Sequence, residues 1–298
     1  MSGVSNGVHP DVLRLGVLPW RVRPQPGVAA WAARLEAEVA VAAAAGAAML
    51  LMPEYAPLEV ATQPQPQLEA ELREACAAAP AAVAAATAIA RRHNVWLLPG
   101  TLPFVVDGRI HNRAPFIAPD GRVAFQDKRT MTRFETEQWH VDPGASPKVF
   151  DTLWGRIGIA ICYDLEFPPL VRAQVEAGAW LILAPTCTDT LAGFNRVRIA
   201  AQARAMENQC FVAVAPTTGS VPEIAALDDN RGRGCVFGPV DRGFADDGLV
   251  AEGAMDDATW LFVDLDPARL AAVRSLGAVL NHADYPAVPP ACTTAVFA

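Results

Sequence analysis

The chain has 298 residues, 52% of them hydrophobic and 19% charged, which is enough apolar material for one large α/β core. With 24 Lys and Arg against 32 Asp and Glu, a formal charge of −8 and no long basic run, nucleic acid is not expected as a partner. The longest apolar stretch, residues 39–52, is mostly alanine, contains Gly46 and stops at Pro53, so no membrane anchor is expected.

In chain order, residues 12–18 read as a strand, 28–45 as an alanine-rich helix ending near Gly46, and 47–52 as a short buried strand. The first residues lack the basic start and apolar core of a secretion signal. A Pro/Gln-rich loop over 57–67 leads into helical sequence over 68–93, which Pro80 is expected to break or kink. Residues 95–98 return to strand, and Asp107-Gly108 and Asp120-Gly121 mark hairpins, with another turn at Trp154-Gly155.

Residues 156–161, 168–177 and 180–184 then spell strand, helix and strand. A helix over 196–208 and a strand over 210–215 repeat the rhythm. β-like segments follow near 234–237, 249–253 and 260–263, and a last helix covers 267–275. This alternation predicts a layered α/β sandwich, with one domain over 1–280 and an extended tail over 281–298. Six cysteines stand singly, without a C-x-x-C pair, so reduced thiols and a cytoplasmic setting are expected.

Three residues share one placement. Cys162 ends the strand in RIGIAICYDLEFPPL just before a predicted helix, where a helix N-terminus favours a thiolate. Glu54 closes the apolar run AAMLLMPE, where partial burial would raise its pKa and suit it to act as a base. Lys128 lies just beyond the strand in RVAFQDKRT, where an ammonium can hold an oxyanion. Each alone has a plainer reading: a small buried hydrophobe, a solvated strand-end charge, a surface lysine. Together they put thiol, acid and base at the exits of buried strands, positions that sheet topology gathers into one cleft.

The segments MPE around Glu54, Asp127-Lys128 followed by RFETEQW, and GRIGIAICYDLEFP around Cys162 resemble, in order and spacing, the three signature regions of the nitrilase, or carbon–nitrogen hydrolase, superfamily. The resemblance runs from near Val12 to about Arg274. It implies a four-layer α-β-β-α sandwich, pairing into homodimers or larger homo-oligomers, and hydrolysis of a small non-peptide amide through a Cys thioester without metal or organic cofactor. Glu54 would be the general base, Cys162 the nucleophile, and Lys128 with the backbone N–H of Tyr163 the oxyanion site.

Of the two glutamates in RFETEQW, Glu135 is chosen over Glu137 to position Lys128, because it stands seven positions after the lysine and four before Trp139. Cys162-Tyr163-Asp164 resembles the amidase-like branches, which favours amide over nitrile or N-carbamoyl substrates. Glu166 stands where members acting on ω-amides often carry arginine; it would meet a cationic substrate or complement a helix dipole. Tyr55, Trp139, His140, Cys187 and Phe194 are further candidates to shape the cleft.

Three rivals remain open to test: a Cys-His enzyme, a metal hydrolase and a catalytically silent scaffold of the same fold. His9, His93, His111, His140 and His282 form no i, i+4 pair and fall in no recognisable partner motif.

Overall fold

Alternating burial builds the first strand, β1 (Leu13–Val17), whose Leu13, Leu15 and Val17 face the interior. The computed structural model describes residues 12–25, 27–61, 68–286, 292 and 294. A two-residue strand, β2 (Trp20–Arg21), precedes helix α1 (Val28–Ala44), which buries Trp31, Leu35, Val39 and Ala42 at helical spacing. After β3 (Met49–Leu51) comes α2 (Leu68–His93), a helix of 26 residues that runs through Pro80 without the expected break. Pro80 sits on its exposed side, and the apolar face of Leu72, Ala75, Ala79, Ala82, Ala86 and Ile89 is packed on both sides of it, which outweighs the one lost backbone bond.

Strands β4 (Trp96–Leu98), β5 (Leu102–Val106), β6 (Arg109–Ile117) and β7 (Val123–Asp127) follow, with β5, β6 and β7 joined as successive antiparallel hairpins. Asp107 and Gly108 both hold positive φ, 50° and 76°, as a tight right-twisted hairpin requires. The chain continues through α3 (Arg133–Glu137), β8 (Val149–Thr152), β9 (Gly155–Ile159), α4 (Pro168–Glu176), β10 (Leu181–Thr186), α5 (Leu191–Asn208) and β11 (Phe211–Thr218). Helix α5 begins five residues before the expected start, because Thr190 caps it by accepting from the N–H of Gly193. Strands β12 (Cys235–Phe237), β13 (Leu249–Glu252) and β14 (Leu261–Leu265) and helix α6 (Pro267–Leu276) complete the core elements.

The strands form two sheets, ordered β14-β1-β3-β4-β6-β5 with β7 beside β6, and β13-β12-β11-β10-β9-β8 with β2 beside β11. Met49, Leu51 and Leu98 pack between the sheets with Ile159 and Leu183, whereas Leu50 and Leu97 point outward under α1 and α2. Helices α4 and α5 cover the second sheet through Val171, Val175, Val197 and Ala201. The layers therefore run α-β-β-α, as expected.

By length and composition alone α2 could cross a membrane. In this fold its apolar face is the outer layer of the first sheet, and it carries a buried Glu71 as well. The segment from residue 281, expected to be extended, begins as a helical turn, α7 (Asn281–Asp284), and Arg172 donates to the carbonyl of His282 and lies 4.3 Å from the Tyr285 ring centroid. The rest of that expected tail, 287–291, 293 and 295–298, lies outside the described residues.

Candidate active site

Glu54, Lys128 and Cys162 each follow a strand, β3, β7 and β9 respectively, and all three line one cavity of about 880 Å³. The turn after β3 puts Tyr55 in the left-handed region at φ 57°, and the turn after β9 does the same to Cys162 at φ 48°. A side chain held there is strained and needs its surroundings to fix it. For Cys162 the fixing is visible: Asp164, two residues on, accepts from the backbone N–H groups of Arg129 at 3.0 Å and Thr130 at 2.7 Å. The Cys162 turn is thus tied to the loop that carries Lys128. Behind Glu54, Gly100 at φ 111° lies against the turn so closely that a Cβ there would stand 2.3 Å from the Pro53 carbonyl oxygen.

Lys128 Nζ lies 2.7 Å from Glu54 Oε1 and 2.7 Å from Glu135 Oε2, and all three side chains are almost closed to solvent. Glu135 is set by α3, where Thr132 and Glu135 form a capping box. Its carboxylate also accepts from the Tyr55 hydroxyl at 2.7 Å and from Thr132 N–H at 2.9 Å. Glu137 points away and pairs with exposed Arg133 at 2.6 Å. Asn112, in mid-strand β6 and absent from the sequence expectations, donates its Nδ2 to Glu54 Oε1 at 2.8 Å and to Glu135 Oε1 at 3.0 Å. Period-two alternation carries its signal: residue 112 shares a strand face with buried Ala114 and Phe116, so a polar side chain there has to find polar partners inside.

Burial sets the electrostatics of this group. It raises the Glu54 carboxyl to about 6, against the pull of Lys128 and with help from Glu135. Burial works in the same direction on Glu135, but Lys128, Tyr55 and Thr132 outweigh it and hold that carboxyl below its ordinary value. Burial works to lower Lys128, yet Glu135 and Glu54 keep it protonated well above the usual lysine range. Burial and then Glu54 push the Cys162 thiol well above its usual range, which favours its neutral form. The thiol lies 3.5 Å from the Cys187 carbonyl oxygen.

The cavity brings together most of the expected residues and leaves out three. Tyr55, Glu135, Tyr163, Glu166 and Cys187 line it. Trp139 does not: it is buried behind Tyr55, whose ring meets it edge-on at 5.5 Å between centroids. Phe194 is packed in the α5 core, and His140 lines a separate depression with Arg129 and Phe167. Glu166 is paired across the mouth with Arg196 at 3.6 Å, a partner the sequence reading did not foresee. Thr188, Asp189, Asp228, Asp229 and Asn230 add polar lining, and Leu68, Met131, Phe134 and Ala226 apolar lining. Asn230 Oδ1 accepts from the Cys187 thiol at 3.1 Å. Among the described residues no histidine lines the cavity, and no group of three or more His, Cys, Asp or Glu could hold a metal ion.

A thiol, a carboxylate and an ammonium thus meet at neighbouring strand exits in one cavity of an α-β-β-α sandwich. Residues 18–272 match the carbon-nitrogen hydrolase family, and the chain belongs to it. It is 35% identical to the probable hydrolase YhcX of Bacillus subtilis over 198 residues, 66% of this chain and 39% of that protein. It is 25% identical to an omega-amidase of Mus musculus over 217 residues, 65% of this chain and 70% of that protein. The match thus spans well under half the length of the Bacillus relative.

Solved structures share the fold, among them the following two. Saccharomyces cerevisiae Nit3, a member of the nitrilase superfamily, has a TM-score of 0.72 at 20% identity, covering 89% of this chain and 93% of that one. A variant amidase from Nesterenkonia sp. AN1, with the acetamide moiety of fluoroacetamide added covalently at its active-site cysteine, has a TM-score of 0.71 at 24% identity, covering 91% and 95%.

Proposed function

We propose that this protein hydrolyses small non-peptide amides through a thioester on Cys162. The observation that carries this reading is the shared cavity floor of Cys162, Glu54 and Lys128, with Lys128 held against Glu54 at 2.7 Å. Both nitrogen donors on Glu54, from Lys128 and Asn112, fall on Oε1, which leaves the second carboxylate oxygen to exchange a proton with the thiol. As Glu54 takes that proton, Cys162 Sγ attacks the amide carbon, and Lys128 with the backbone N–H of Tyr163 stabilises the tetrahedral oxyanion. Collapse breaks the carbon–nitrogen bond, and Glu54 returns the proton to the leaving ammonia or amine. A water then gives its proton to Glu54 and attacks the thioester carbon; the acid leaves, and Cys162 regains its proton.

Amide is favoured over nitrile because Tyr163 follows the nucleophile and the curated relatives include amidases. The cavity mouth carries Glu166, Asp189, Asp228 and Asp229 against Arg133 and Arg196, an acidic excess that favours a substrate whose far end is cationic. The test is ammonia or amine release from a panel of amides, N-carbamoyl compounds and nitriles, with Cys162→Ala as control. Amide turnover lost in the control and an acyl adduct on Cys162 by intact mass are the expected results; nitriles turned over much faster than amides overturn the assignment.

The same reading includes a homo-oligomer. Ile199 and Met206, two turns apart on α5, are 61% and 37% exposed, an apolar stripe suited to a second copy, and sedimentation tests it. The unbridged thiols of Cys162, Cys187, Cys210 and Cys235 suit a reducing, cytoplasmic setting.

A further inference from the structure

Asn112 bonds to all three buried charged residues of the site, Glu54, Lys128 and Glu135. Its side-chain amide reaches Glu54 Oε1 at 2.8 Å and Glu135 Oε1 at 3.0 Å, and its backbone carbonyl accepts from the Lys128 N–H at 2.8 Å. It is fully buried, and its Oδ1 has no hydrogen-bond partner among the described residues. An unmade hydrogen bond at a buried acceptor is costly, so something fixes the amide with its donors turned toward the acids. The two carboxylates do this, since a flipped amide would present Oδ1 to both of them.

We propose that Asn112 is a positioning residue that keeps Glu54 ionised and aimed as the proton acceptor for Cys162. The inference rests on the amidase reading above and adds a residue to it. The two acids depend on Asn112 unequally. Glu135 also accepts from Lys128, Tyr55 and both donors of Thr132, whereas among the described residues the nitrogen donors to Glu54 are Lys128 and Asn112. Losing the amide therefore falls on Glu54. The titratable groups facing Glu54 are Lys128 beyond β7, Glu135 on α3, Tyr55 beside it, Cys162 beyond β9 and Cys187 beyond β10, while Asp164 faces Lys128. Of these only Lys128 is cationic, and it is shared with Glu135. Without Asn112 the protonated form of Glu54 gains ground.

The test compares Asn112→Leu, which removes the donors, and Asn112→Ser, the milder change, with the unmodified protein. Thermal unfolding reports whether each variant folds. The acid limb of the kcat/KM profile is expected to move up by about one pH unit in Asn112→Leu, a loss of roughly fivefold near pH 6 and approaching tenfold near pH 5 that recovers by about pH 8.5, with KM little changed. Asn112→Ser is expected between the two, and it carries the test alone if the leucine variant does not fold. A uniform loss with the limb unmoved makes the residue merely structural and overturns the proposal, as does an unaltered profile. The pH dependence of Cys162 alkylation by iodoacetamide, read by intact mass with Glu54→Gln as control, needs no turnover. If amides are not hydrolysed at all, the amidase reading fails while this second profile still decides the role of Asn112: a displaced limb supports it and an unmoved one overturns it.

Discussion

Lys128 Nζ and Glu54 Oε1 meet at 2.7 Å with both side chains almost closed to solvent, so the protein, and not bulk water, decides where their protons reside. Burial raises Glu54 to about 6, and the proposed base role needs it ionised. A raised carboxyl takes up its proton at higher pH than an ordinary glutamate, so activity present above about 6 is lost as pH falls through that value. Lys128, held well above its usual range, sets no alkaline limit below it. The kcat/KM of an amide is expected to be flat above about pH 7 and to fall roughly tenfold per unit below about pH 6. Glu54→Gln is expected to cost about 10²–10⁴-fold in kcat at any pH. An acid limb near the ordinary glutamate value, or survival of activity in that variant, contradicts the assignment of the base.

The two neighbouring glutamates separate cleanly by substitution. Glu135 receives Lys128 at 2.7 Å inside the site, while Glu137 pairs with Arg133 on the exposed side of α3. Glu135→Gln leaves Lys128 with a single carboxylate and is expected to lower kcat at least about 100-fold. Glu137→Gln is expected to stay within about twofold on a neutral amide, because it unmasks only the exposed, screened charge of Arg133. Steady-state kinetics on both variants decides it, and equal losses would mean that α3 as a whole, and not the Glu135 carboxylate, matters.

The parts of this site that were legible in the sequence are those set by strand endings. Glu54 and Cys162 follow buried apolar runs, whose termination is a local signal, and Lys128 follows the half-exposed strand β7. Asn112 lies in mid-strand, where its meaning depends on which face of β6 meets Glu54 and Glu135, 58 and 23 positions away in sequence. Helix α3 carries a local signal of its own, the Thr132-x-x-Glu135 capping box. Trp139 shows the opposite failure: its position in a loop near the site was legible, but the side to which the ring turns was decided by packing on Tyr55 and Phe134. Pro80 illustrates tertiary override, since α2 continues through it on the strength of its buried face.

Gly100 gives a prediction that bears on geometry without touching charge. A methyl at this position would meet the Pro53 carbonyl oxygen at 2.3 Å, and φ 111° is itself unfavourable for alanine. Gly100→Ala is expected to destabilise the fold by about 1–3 kcal/mol and to push the Pro53-Glu54 turn away from its seat. Because the displaced turn carries Glu54, kcat should fall more than the remaining folded fraction explains. Denaturant unfolding measured beside kcat corrected for folded protein checks this. A loss of stability with unchanged kcat would show that the turn relaxes without moving the carboxylate.

The charge of the cavity mouth makes the substrate assignment testable in its finer part. Glu166 is neutralised by Arg196 at 3.6 Å and Arg133 by Glu137 at 2.6 Å, which leaves Asp189, Asp228 and Asp229 as the net charge that an incoming substrate meets. In a concave site that field is focused, and it is screened over a Debye length of about 10 Å at 0.1 M salt. Amides of equal length ending in an ammonium, a neutral group or a carboxylate should therefore rank in that order in kcat/KM, by roughly tenfold between the ends of the series at low salt and less at high salt. Asp228→Asn combined with Asp229→Asn should narrow the range by weakening the cationic substrate most. If the carboxylate-ended amide is instead the fastest, Arg196 is the substrate anchor and the acidic wall is a solvated rim; Arg196→Gln would then abolish that preference while leaving the neutral amide unchanged.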